Sequence, residues 1–347
     1  MERGKHTIHE IKSQPHVWQS AVAVFTENQS ALTDLFAENT FDKIIVTGCG
    51  STYYLSQIGA RLLQKFAALS AQAYPASEIV LYPDVMLNKN QQTLLIAVSR
   101  SGTTSETVSA IRTFKEKTSG KIITITCDSQ TPLAQAADLV FAIEAAQEKS
   151  VAQTRSFSSM CVVIQQIAAH LGKENSAHSP DIAAICQSLL ENYSNVAQSL
   201  GENPKIQKFF FLGSDTLYGI ASEAMLKMKE MSLSYSEAFH TLEFRHGPMS
   251  MVGDDSLVVG LVSSSSADYE IQVLREMQAK GATILALGQG IVGFEHTIQI
   301  PESVPAWNVP ILYLPILQLI SYHRSLFNEQ NPDNPHNLTA VISLDNI

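Results

Sequence analysis

Ile44-Ile45-Val46-Thr47-Gly48 is a short, largely apolar run closed by a glycine, and the segment behind it, CGSTYYLSQIGARLLQKFA, carries helical periodicity. The same pattern returns at Phe209-Phe210-Phe211-Leu212-Gly213, followed by SDTLYGIASEAMLKMKEMS. Gly48 matches Gly213 and Tyr53 matches Tyr218, so the pattern repeats at a fixed offset in sequence. Further pairs follow: Leu94–Ser99 with Leu257–Ser263, and Ile122–Thr126 with Thr283–Leu287. Strands apolar on both sides suit a parallel sheet covered on both faces by helices. The fold class is therefore α/β: two three-layer αβα sandwich domains with parallel sheets, related by internal duplication.

Domain boundaries follow from this repeat. Residues 1–30 are expected to form a leading helical segment, 31–171 the first domain and 205–330 the second. Residues 172–204 are polar but hold a helical stretch, Ile182 to Leu200, and read as a helical connector. Residues 331–347 read as an irregular tail that must pack somewhere, because Val341, Ile342 and Leu344 are apolar. The longest apolar run, Val309 to Ile320, is too short to span a bilayer and contains Pro310 and Pro315. A buried strand followed by a helix is expected there.

Composition narrows the class of function. The chain has 347 residues, 45% of them apolar, a net charge of −10 and a pI of about 5.5. That excludes a disordered chain and argues against nucleic acid as a partner. Charged residues make up 16%, against roughly 25% on average, so hidden surface and an oligomer are expected. Cys49, Cys127, Cys161 and Cys186 form no CxxC pair and read as reduced thiols. The N-terminal stretch has mixed charge and no apolar core, so no signal peptide is expected and the setting is cytoplasmic. No metal or cofactor motif is present, and no membrane segment.

Ligands of open parallel sheets sit beyond the carboxyl ends of strands, where helix N-termini point. Ser99-Arg100-Ser101-Gly102-Thr103-Thr104-Ser105-Glu106-Thr107 lies there, between a strand and a helix. The hydroxyls of Ser99, Ser101, Thr103 and Thr104 can donate to phosphate oxygens. Gly102 lets the backbone approach, and the helix end favours an anion. Ordinary N-capping uses one or two hydroxyls, whereas this loop carries six. The second-half counterpart, Ser263 to Ser266, lacks the glycine and is expected to have lost the phosphate. Gly48-Cys49-Gly50-Ser51-Thr52 would form a second wall, with Ser51 and Thr52 beside the phosphate.

Glu223, Lys227 and Glu230 fall at i, i+4 and i+7 on one helix face, a spacing equally suited to a solvated ion-pair face. His246-Gly247-Pro248 places a histidine on a turn. A carboxylate and a histidine near a sugar phosphate are what an aldose–ketose interconversion needs: one opens the ring, the other moves a proton between adjacent carbons.

At these residues the sequence resembles the SIS (sugar isomerase) phosphosugar-binding family. It looks most like the isomerase half of glucosamine-6-phosphate synthases and the stand-alone double-SIS amino-sugar-phosphate enzymes. The pieces that carry the resemblance are Gly48–Thr52, Ser99–Thr107, EKSVAQTRSF (Glu148–Phe157), EAMLKMKE (Glu223–Glu230), EAFHTLEFRHGP (Glu237–Pro248) and DNPHNL (Asp333–Leu338). The resemblance implies that Ser99, Ser101 and Thr104, with Thr52, bind the phosphate. It also implies that Val151 lines the sugar. Lys227 is a further candidate beside the sugar, equally suited to a structural ion pair. Glu230 would be the base and His246 the ring-opening group, reaching the partner's site in a homodimer.

Two departures from the synthase pattern stand out. Its loop reads SQSGET, whereas Arg100 and Thr103 stand here, and Arg100 is expected to add charge to the phosphate site. The synthase's tail lysine, which forms a Schiff base, is replaced by Ala340, and no lysine follows Lys280. A substrate that already carries a 2-amino group needs no such lysine. The expected activity is therefore an isomerising glucosamine-6-phosphate deaminase type, giving fructose 6-phosphate and ammonia. The alternatives are a fructosamine-6-phosphate-type deglycase, a simple phosphosugar isomerase and a non-catalytic sugar-phosphate-binding regulator.

Overall fold

The computed structural model describes residues 3–174, 181–336, 338 and 339. Ala340, Val341, Ile342 and Leu344 lie outside the described residues. By its contacts the chain parts into two compact units. Among the described residues, one takes 16–148 and 155–174, and the other 3–15, 149–154 and 181–338.

The first unit runs α2 (Gln14–Glu38, from His16 onward), β1 (Lys43–Gly48), α3 (Ser51–Ala67), β2 (Ala71–Pro75), α4 (Ala76–Leu81) and α5 (Pro83–Met86). It continues with β3 (Thr93–Ser99), α6 (Ser105–Lys117), β4 (Lys121–Thr126), α7 (Pro132–Gln135), β5 (Leu139–Ala142) and α8 (Arg155–Leu171). Its five strands are all parallel, in the order β2-β1-β3-β4-β5. Every residue of β3 is buried, as is all of β1 beyond Lys43. On one face Ile45, Leu95 and Ala97 pack with Ile79, Ile111 and Phe114. On the other, α3 and α8 approach so closely that a Cβ on Gly59 would meet Ile164 Cγ1 at 2.8 Å.

The second unit begins with α1 (Lys5–Lys12). After α9 (Ile182–Gly201) come β6 (Lys208–Leu212), α10 (Thr216–Ser232), β7 (Tyr235–Phe239), β8 (Ser256–Leu261), α11 (Ala267–Ala279), β9 (Thr283–Gly288) and β10 (His296–Gln299). Its parallel sheet has the order β10-β9-β8-β6-β7, the same topology as the first. The duplication reaches the backbone angles. Gly50 has φ 55, ψ −123 and Asp215 has φ 55, ψ −126; Ala68 has φ 55, ψ 29 and Leu233 has φ 55, ψ 28.

Two expectations change. The run Val309 to Ile320 holds no strand; it forms α12 (Val309–Leu312) and the first half of α13 (Leu314–Phe327). Pro310 and Pro315 sit in first turns, where a missing N–H costs nothing. The leading segment is two helices rather than one, because Pro15 starts a new helix beside Gln14. The connector helix spans Ile182–Gly201, as its periodicity predicts.

Candidate active site

In the first unit, β1 and β3 are neighbours while the chain leaves them toward opposite edges of the sheet. Their carboxyl ends therefore open a crevice, the switch point where such sheets bind ligands. Both candidate loops lie here and touch: Cys49 Sγ is 3.5 Å from Thr107 Oγ1. Burial pushes the Cys49 thiol up, the Thr107 hydrogen bond opposes this, and the nearby Glu106 charge adds to it.

The Ser99–Thr107 loop is held rigidly. Gly102 has φ +62, and a Cβ there would stand 2.1 Å from Thr131 Oγ1. The Gly102 carbonyl accepts from Leu133 N–H at 3.2 Å, and the Arg100 carbonyl accepts from Cys127 N–H at 3.2 Å. Ser99 is buried, and its hydroxyl accepts Gly102 N–H at 3.1 Å beside Thr104 Oγ1. Ser101, Thr103 and Thr104 are at least partly exposed. Thr104 is the N-cap residue of α6, yet its side chain caps no helix N–H, which sets aside the plain capping role.

Thr52 and Arg100, also expected at the phosphate, are likewise engaged with the protein. The Thr52 hydroxyl accepts Cys49 N–H and donates to the Cys49 carbonyl, both at 2.9 Å. It shapes the loop, while Ser51, also buried, opens α3. Arg100 Nη1 lies 3.7 Å from the buried Glu148 carboxylate, which also accepts from the Ser156 hydroxyl. The charge expected at the phosphate is thus paired with Glu148.

The remaining candidates belong to the second unit. Glu223, Lys227 and Glu230 lie on α10, and the face they form is buried, not solvated. Side-chain exposure is 0% for Glu223, 1% for Lys227 and 17% for Glu230. Lys227 Nζ is 3.3 Å from Glu223 Oε1 and donates to Glu230 Oε2. Burial alone would lower the Lys227 pKa; the two carboxylates outweigh it and raise the pKa. The lysine therefore stays charged and holds Glu230, whose side chain remains partly exposed.

Val151 sits in a loop tied at several points. Its N–H donates to the Asp333 carbonyl at 3.1 Å, and Lys149 N–H donates to Glu10 Oε1 at 2.6 Å. Glu10, on α1, also accepts from the Ser150 hydroxyl, and Gln318 Nε2 donates to the Thr154 carbonyl at 3.3 Å. Sequence reasoning missed Glu10 because nothing in its local pattern announces a partner 139 residues away. His246 is exposed on the turn before Gly247, whose φ is +120. Its N–H bonds the Glu243 carbonyl at 2.9 Å.

The SIS domain model matches residues 40–170 and 205–326. The chain belongs to the SIS domain family. Similar curated proteins are glutamine–fructose-6-phosphate aminotransferases (isomerizing). That of Pyrococcus horikoshii is 29% identical over 97% of this chain and 57% of its own length. That of Legionella pneumophila (strain Lens) is 30% identical over 87% of this chain and 51% of its own. The SIS chain thus spans about half the length of these relatives. Among solved structures, tagatose-6-phosphate ketose/aldose isomerase from Escherichia coli shares the fold, with TM-score 0.86 and 24% identity over 99% of this chain and 97% of that one. Glucosamine-6-phosphate deaminase from Thermotoga maritima matches with TM-score 0.75 and 25% identity over 94% of this chain and all of that one.

Within the second SIS repeat, the buried ion triad sets a testable energetic constraint. Removing one partner of a buried pair strands the other charge, at a cost of about 3–5 kcal/mol. Lys227→Met should therefore lose about that much in urea unfolding at pH 7, and Lys227→Met combined with Glu223→Gln should recover most of it. A loss below ~1 kcal/mol for the single variant would mean that the triad is solvated.

Proposed function

We propose that this SIS protein isomerises a phosphorylated amino sugar and releases its nitrogen, as an isomerising glucosamine-6-phosphate deaminase does. The observation that carries the reading is the α10 triad: a carboxylate locked by a buried, charged lysine and left partly exposed. A base positioned in this way can move a proton between adjacent carbons with little reorganisation. The names of the similar proteins, all of which act on six-carbon sugar phosphates, support the substrate class.

In the proposed sequence, the Ser99–Thr107 loop holds the phosphate, with Ser101 and Thr104 donating and Gly102 allowing close approach. His246 protonates the ring oxygen as the 1-hydroxyl gives up its proton, and the ring opens to the aldehyde. Glu230 takes the C2 proton and returns it to C1, while the amine gives up one proton and O1 gains one, leaving a 1-hydroxy C2 ketimine. Water adds to the ketimine, and fructose 6-phosphate and ammonia leave. The amine comes with the substrate, so a residue such as Ala340 at the tail position is compatible with the chemistry. No resident cofactor or metal is required.

His246 is exposed, and Leu242 and Met251 in the same connection are exposed apolar side chains. We assign this surface to a homodimer in which His246 serves the neighbouring subunit. Among the described residues the four cysteines form no disulfide, in keeping with a cytoplasmic setting. Among the described residues no helix is long and apolar enough to cross a membrane.

The decisive assay incubates the protein with glucosamine 6-phosphate, galactosamine 6-phosphate and a fructosamine 6-phosphate–amino acid adduct, measuring ammonia, amino acid and ketose phosphate. Ammonia and ketose phosphate in equal amounts are expected from an amino sugar phosphate, and Glu230→Gln should lower kcat at least ~10³-fold while still binding substrate. Amino acid release would replace the deaminase by a deglycase; ketose formation without C–N cleavage would leave a simple isomerase. Subunit sharing has its own test. Equal amounts of Glu230→Gln and His246→Ala chains, each inactive alone, should regain about a quarter of wild-type activity when dissociated and reassociated. No recovery would place both residues in a site built from one chain.

A further inference from the structure

The second SIS repeat retains the layout of the first one's cradle. From β3 five residues, 100–104, lead into the thirteen-residue helix α6; from β8 five residues, 262–266, lead into the thirteen-residue α11. Aligned on the helix starts, Ser263 falls on Ser101, Ser266 on Thr104 and Glu270 on Val108. At the other wall, Ser214 falls on Cys49 and Asp215 on Gly50. Both β6 and β8 end at this point, and it is the switch point of the second sheet.

The crevice is filled by a carboxylate. Glu270 is 2% exposed, and its Oε2 accepts Ser263 N–H at 2.7 Å. Its other oxygen, Oε1, is buried without a hydrogen bond of good geometry. Burial pushes the carboxyl above its usual range; the Ser263 N–H and the Ser266 and Ser214 hydroxyls oppose this, and the Asp215 charge adds to the rise. One side chain thus meets groups from both loops, as a bound anion would. Ser263 Oγ in turn lies 3.0 Å from Ser265 Oγ and 2.9 Å from Ser266 Oγ. In the first repeat the matching residue is Val108, which has no anionic group to return to the loop.

Asp215 supports the same reading from the backbone. It adopts φ 55, ψ −126, a conformation that side chains rarely take, at the position where the first repeat has a glycine. Such strain persists only where the surroundings enforce it. The turn geometry of an anion cradle has been kept, while the residue occupying it has changed.

We infer that the second SIS repeat is a phosphate-type anion cradle whose permanent occupant is the chain's own Glu270 carboxylate, so that each chain binds one phosphomonoester, in the first repeat. The inference rests on the phosphate reading of the first cradle. Glu270 and Asp215 together exclude a second dianion by occupancy and by charge. The hydroxyls and helix end that would hold it remain in place.

The test restores the first repeat's residues to the second. Inorganic phosphate binding per chain is counted by equilibrium dialysis for the wild type, for Asp215→Gly with Glu270→Val, and for Glu270→Gln, with circular dichroism confirming the fold. The wild type should bind one phosphate, the paired variant two. Glu270→Gln should stay at one, because an amide of the same shape still fills the cradle. If the paired variant does not fold, Glu270→Ala alone is measured and should gain at least tenfold in affinity for a second phosphate. A folded paired variant, or a folded Glu270→Ala, that still binds one phosphate overturns the inference, as would two in the wild type. None in the wild type but one in the paired variant would uphold Glu270 as the occupant of the second cradle and overturn the phosphate reading of the first.

Discussion

Two strands that lie side by side in a parallel sheet, and whose connections depart in opposite directions, leave a gap at their carboxyl ends that the chain cannot close with regular structure. Helix N-termini and loop N–H groups converge on that gap, and their partial positive charge favours an anion. This electrostatic demand organises both halves of the molecule. In the first repeat the gap is ringed by the Ser99–Thr107 loop, pinned through Gly102 against Thr131 and through Arg100 against Cys127. In the second it is filled by Glu270. The same backbone is kept, and Glu270 and Asp215 stand where the first repeat has Val108 and Gly50.

The second constraint is the burial of charge on α10. A lysine with 1% exposure would be costly to ionise on its own, and two carboxylates beside it would repel each other without it. Glu223, fully buried, holds the lysine charged, and the lysine holds Glu230. The arrangement is best understood as orientation: it fixes a partly exposed carboxylate rather than adding net stability. The Val151 loop is over-determined in a similar way. Glu10, Gln318 and the Asp333 carbonyl secure it from three separate elements.

Much of this was legible in the sequence where burial is symmetric. The central strands β1, β3, β4, β6, β8 and β9 are apolar on both faces, so unbroken runs such as Ile44–Val46 and Phe209–Leu212 announce them. The strands β2, β5, β7 and β10 stand at or near the sheet edges, with burial on only some positions, and AQAYP or HTIQ carries no such signature. The run Val309 to Ile320 misled for the opposite reason: a helix buried all round is as apolar as a strand, and its prolines mark first turns. At the candidate site, hydroxyl density and a glycine marked the strand-to-helix loop that the structure places at the sheet's switch point. The pairing of Arg100 with Glu148, the burial of the Glu223–Lys227–Glu230 face and the return of Glu270 onto Ser263 depend on side chains far apart in the pattern, and needed coordinates.

The central claim is that the Ser99–Thr107 loop is a phosphate cradle. Its most direct test is calorimetric titration of the protein with sorbitol 6-phosphate and with sorbitol, repeated for Ser101→Ala combined with Thr104→Ala. Hydrogen bonds to a charged phosphate are worth about 1.5–3 kcal/mol each. The account predicts saturable binding of the phosphate ester only, weakened at least tenfold in the variant. Equal affinity of wild type and variant, or equal binding of sorbitol, would contradict it.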